Sequence, residues 1–148
     1  MKLILAAILI TSLFACGTPN KDSNNEQGMD PQISLNAMND YVKSGSALKD
    51  PAKWVRNNQL LSPDFKKGYD KMISDAYKDD PEMGLGFDPI LNAQDFPEKG
   101  FEIKSVDSKR GLVVLQGIDW SDFVVKTKLV EVNGQWLVDG AGVIRMPK

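Results

Sequence analysis

The sequence holds no histidine and a single cysteine, which leaves its chemistry to carboxylates, amines, hydroxyls, amides, aromatic rings and one thiol. Without an imidazole there is no Ser-His-Asp or Cys-His catalysis, no ordinary proton shuttle at neutral pH and no usual zinc set. What remains concentrates in GLGFDPILNAQDFP, residues Gly84 to Pro97, which carries Asp88, Gln94 and Asp95 between two helix-breaking ends. Tyr69 ahead of it and Trp120 after it are the aromatic residues expected to converge on the same mouth. A carboxylate in such a place has a raised pKa and can act as an acid or a base. The same residues also have a purely architectural reading. Asp88 before Pro89 is a helix cap, accepting the backbone N–H of Ile90 or Leu91 at the start of a short helix PILNAQ. Ile90 and Leu91 would then face inward and close one end of the domain.

Other chemistries are missing. Asp79, Asp80, Glu82 and Asp88 lack the spacing of a calcium loop, and Gly84-Leu85-Gly86 is no dinucleotide fingerprint. No metal and no cofactor are expected. A net charge of −2, with aspartates interleaved among the lysines from Lys66 to Lys78, argues against nucleic acid as a partner.

Periodicity sets the elements that must hold these residues. A helix near Ser34 places Leu35, Met38 and Val42 on one side and ends at Gly45. Asp50-Pro51 and Ser62-Pro63 are caps with proline in the first turn, and each opens a helix. The second of these carries Phe65, Tyr69, Met72, Ile73 and Ala76 as one stripe. After Pro97 the texture turns to strands: Phe101 to Val106, Leu112 to Ile118 and Phe123 to Val132. Asn133-Gly134 is a hairpin turn, and a last strand begins at Gln135, its glycines at 140 and 142 signalling a bulge or bend. Helices first and a meander after is an α+β pattern, with helices on one face of a curved antiparallel sheet.

Here the chain resembles the nuclear-transport-factor-2-like (cystatin-like) superfamily. More narrowly, it resembles exported and lipid-anchored bacterial proteins grouped as a domain of unknown function. The residues that carry the resemblance are Leu85-Gly86, Asp88-Pro89-Ile90-Leu91, Ala93-Gln94-Asp95 and Asn133-Gly134-Gln135-Trp136-Leu137-Val138. The resemblance implies a cone-shaped α+β domain over residues 33–148 and lends no activity.

The N-terminus reads differently. Lys2 precedes Leu3 to Phe14, twelve uncharged residues that rise about 18 Å as a helix against a hydrocarbon core of about 30 Å. That is a secretory signal rather than a span. Leu13-Phe14-Ala15-Cys16 resembles the lipobox of bacterial lipoproteins, which implies cleavage after residue 15 and palmitate-type acyl chains on Cys16. By the same resemblance Gly17 implies the outer membrane, with the domain facing the periplasm. Residues 16–32 make a polar stem on which no core can form.

Three functions fit this sequence. The first is a non-enzymatic binding or accessory domain anchored at the membrane through Cys16, with an envelope protein or a small apolar ligand as partner. The second is a periplasmic inhibitor or immunity protein against a toxin or wall hydrolase. The third is a small lyase or isomerase that uses Asp88 or Asp95.

Overall fold

The computed structural model of the chain describes residues 28–147, so the signal, Cys16 and most of the stem lie outside the described residues. Four helices precede four strands: α1 (Gln32–Lys43), α2 (Ser46–Lys49), α3 (Pro51–Asn57), α4 (Pro63–Asp79), β1 (Phe101–Asp107), β2 (Leu112–Gly117), β3 (Val124–Val132) and β4 (Gln135–Ala141). The strands form one sheet in the order β1-β2-β3-β4, antiparallel throughout. The α+β architecture is therefore the one the residue pattern predicts. Ordered packing reaches into the expected stem, since Met29 rests against the core and α1 begins at Gln32.

Two helices start where the sequence marks them. Asp50 Oδ1 accepts the Lys53 N–H at 2.9 Å, and Ser62 Oγ accepts the Phe65 N–H at 2.9 Å. Ser62 then donates its own proton to Asp139 Oδ1 at 2.6 Å, so the α4 cap is also a tie to β4. Asp139 is buried near the shift in β3–β4 register, and its other oxygen accepts from the Arg145 guanidinium at 3.1 Å. The backbone seals the same junction, with Ser62 N–H donating to Val138 O and Val138 N–H to Leu60 O.

Helix α1 lies across the sheet, against β1, β3 and β4. Its buried side is Ser34, Ala37, Met38, Tyr41 and Val42, one step round from the stripe that Leu35 suggests. The shift has a cause: Thr127 in β3 is wholly buried and donates to Ser34 Oγ at 2.8 Å, which makes a serine a core residue. Further along α1, the Asn39 amide accepts the Phe101 N–H at 2.7 Å and donates to the Phe101 carbonyl at 3.1 Å. The side chain thus takes the place of a neighbouring strand at the edge of β1.

On β3 and the residue before it, Phe123, Val125, Thr127 and Leu129 do form the inward face. The expected helix PILNAQ does not form. Asp88 and Ala93 pair through both backbone groups, at 2.8 and 3.3 Å, and Asn92 at φ 55° turns the chain back after one turn. This closed loop carries Ile90 and Leu91 into the core. It docks on the turn after β4, where Val143 N–H donates to Pro89 O at 3.0 Å.

Gly142 permits that contact. Its φ is +58°, and an added Cβ would sit 2.4 Å from both the Pro89 and Ile90 carbonyl oxygens. Gly142→Ala is expected to lower stability by about 2–3 kcal/mol through steric overlap and backbone strain, as read by chemical denaturation. A loss below about 0.5 kcal/mol would mean that the loop does not depend on this close approach.

Candidate functional site

Three of the five residues expected at the mouth meet. Tyr69 from α4, with Asp88 and Gln94 from the closed loop, line one open trough of about 540 Å³. Its other walls come from the α2–α3 junction, Ala47 to Ala52, and from Tyr77, Leu85 and Phe87. Gln94 Nε2 donates to the Gly86 carbonyl at 2.9 Å, which fixes the amide on the rim.

Asp95 and Trp120 do not join them. Beyond Ala93 the chain heads for β1, and Asp95 is left exposed outside the trough. Trp120 sits on the β2–β3 turn, 46% exposed, with its ring 5.1 Å from Phe123. That turn is tied to the approach to β1, since Asp119 accepts the N–H groups of Glu98 and Lys99 at 3.2 and 3.1 Å. The acidic run has a plain structural role as well: Asp80 Oδ1 accepts the N–H groups of Glu82 and Met83.

Asp88 is half-buried and fully engaged. Oδ1 accepts from Ile90 N–H at 2.7 Å and Leu91 N–H at 3.1 Å, while Oδ2 accepts from the Tyr41 hydroxyl at 2.5 Å. Burial pushes its pKa above the ordinary carboxylate value, and the hydrogen bonds from Tyr41, Leu91 and Ile90 pull against that shift without cancelling it. Tyr41 is the residue that sequence reasoning missed. It lies off the expected α1 stripe, is wholly buried, and packs with its ring centre 4.5 Å from that of Trp54. Its phenol is pushed far up, first by burial, then by the charge and the hydrogen bond of Asp88.

Tyr69 is in the opposite condition. The residue is only 4% exposed, yet its hydroxyl makes no hydrogen bond among the described residues. No fully buried side-chain polar atom among those residues lacks a partner, so this hydroxyl keeps access to solvent, and Tyr69 lines the trough. Burial and then the Asp88 charge push its pKa up to about 12, which keeps it a neutral phenol able to donate and accept.

Among the described residues no group of histidine, cysteine, aspartate and glutamate could hold a metal ion, and no helix is long and apolar enough to cross a membrane. No protein-family model, curated protein or solved structure matches the chain.

Because Asp88 binds its proton more tightly when folded, its contribution to stability falls as pH rises from about 4 through the raised folded value. Asp88→Asn keeps an acceptor for the two amides and removes the titration. The stability difference between wild type and Asp88→Asn should therefore shift against the wild type across that window, as measured by urea unfolding at several pH values. Asp88→Ala should cost about 2–4 kcal/mol, because two amides and a buried phenol lose their acceptor. A pH-independent difference between wild type and the Asn variant would show that Asp88 titrates as a solvated acid.

Proposed function

We propose that the chain is a bacterial lipoprotein, held in the outer membrane through acylated Cys16, whose periplasmic domain is a non-enzymatic binding module of the nuclear-transport-factor-2-like, cystatin-like kind. Support for the anchor is the run from Lys2 to Phe14 and its ending in Leu13-Phe14-Ala15-Cys16. A second acyl chain matters, since one chain binds a bilayer only marginally and two hold it. Support for the cone is a four-stranded antiparallel sheet with its helices packed against it and register shifts in β1 and at the β3–β4 pairing that allow curvature.

The observation that carries the binding reading is the Tyr69 hydroxyl in an open trough, without a partner among the described residues. A polar group so placed contributes to recognition rather than to internal bonding. Binding is favoured over catalysis by the state of the acids. Both Asp88 oxygens already accept hydrogen bonds, Asp95 lies outside the trough, and Asp50 caps α3. An acid–base mechanism would need one of these carboxylates to face a substrate with an oxygen to spare.

Growth of expressing bacteria with labelled palmitate should mark the wild type and leave Cys16→Ala unlabelled. The mature protein should begin at Cys16 and carry the added acyl mass. A mature chain with a free thiol at residue 16 would remove the anchor.

A further inference from the structure

We infer that the trough binds a neutral oligosaccharide. This rests on reading the trough as a binding site and goes beyond it by naming the ligand class.

The first consideration is charge. The trough shares Lys49 and Asp50 with a second depression of about 370 Å³, which adds Asp40, Lys53, Asn57 and Trp54 among its lining residues. Lys49 and Lys53 stand among Asp40, which accepts from Trp54 Nε1, Asp50, which caps α3, and Asp88, so both signs of charge line the two hollows. A strongly charged ligand of either sign meets like charge here as well as opposite charge.

The second is the state of the polar groups. The side chains of Lys49, Lys53 and Asn57 make no hydrogen bond or ion pair among the described residues, and neither does the Tyr69 hydroxyl. Gln94 donates one N–H to Gly86 and keeps its carbonyl and second N–H. Such donors and acceptors, spread along adjoining hollows, suit a chain of hydroxyl and amide groups.

The third is the apolar surface. Tyr77 is 53% and Phe87 37% exposed, both on the same trough. Gly84, at φ +61°, leaves the Tyr77 ring its place, since an added Cβ would lie 2.9 Å from it. Flat rings beside planar polar groups fit a sugar, which offers C–H faces and hydroxyl edges together. An extended peptide fits less well. Added as a strand, it needs an unpaired sheet edge, and these walls are helices and turns around an open hollow.

The test is titration of the full-length protein in detergent micelles with three probes, read by NMR and calorimetry: N,N′,N″,N‴-tetraacetylchitotetraose, cellotetraose and an uncharged peptide of similar length. Saturable binding of at least one sugar is expected, with shifts at Tyr77 and Phe87. Tyr77→Ala and Tyr69→Phe should each weaken it about tenfold, the effect of one ring contact or one hydrogen bond. Tyr69→Phe should leave the unfolding midpoint unchanged, because that hydroxyl holds no described residue, and a purely structural tyrosine would give the reverse pattern. Binding of neither sugar, or sugar binding indifferent to both variants, overturns the inference. Saturable peptide binding at Tyr77 and Phe87 in place of sugar overturns the ligand class and leaves the binding module standing. Loss of both, with the trough silent to every probe, removes the binding reading as well.

Discussion

A single carboxylate ties the connection between helices and sheet to α1. Asp88 belongs to the connection between helices and sheet, yet its three hydrogen bonds reach both its own loop and α1. Through Oδ1 it closes the turn that drives Ile90 and Leu91 into the core. Through Oδ2 it fixes the Tyr41 phenol, which in turn packs on Trp54 of α3. Burial makes its charge costly, and the three donors offset part of that penalty. The trough is a by-product of this arrangement, since the loop held by Asp88 forms one wall and α4 with the α2–α3 junction the others.

The same device recurs at the other joints. Asp139 binds Ser62 at the head of α4 and Arg145 beyond β4, and Asn39 ties α1 to the edge of β1. In each case a polar side chain satisfies backbone or capping groups where two elements meet. Apolar packing supplies the driving force, and these short bonds select the register in which it acts.

How much of this is legible in the residues depends on the range of the interaction. Caps are local, so Asp50-Pro51 and Ser62-Pro63 can be read directly, as can the alternation of β3 and the Phe65–Ile73 stripe. Asp88-Pro89 is legible as a cap too, but the segment it caps is one closed turn and no helix. The stop lies in the positive φ of Asn92 and in the docking on Gly142, far along the chain. Tyr41 is hidden because Ser34 looks like a surface residue until Thr127 is placed opposite it. Within the trough, Tyr69 and Gln94 are accessible to pattern. Trp120 is not, because a hairpin tip can fall at either end of a sheet.

The meander has a consequence for synthesis. Helix α1 meets α2 and α3 early, but it also packs on strands made much later, among them β4, and Ile144 beyond β4 completes the core. The early helices thus leave the ribosome with part of their apolar sides uncovered until β4 and Ile144 have been made. Until then the partly made domain exposes an apolar face on which chaperones can act.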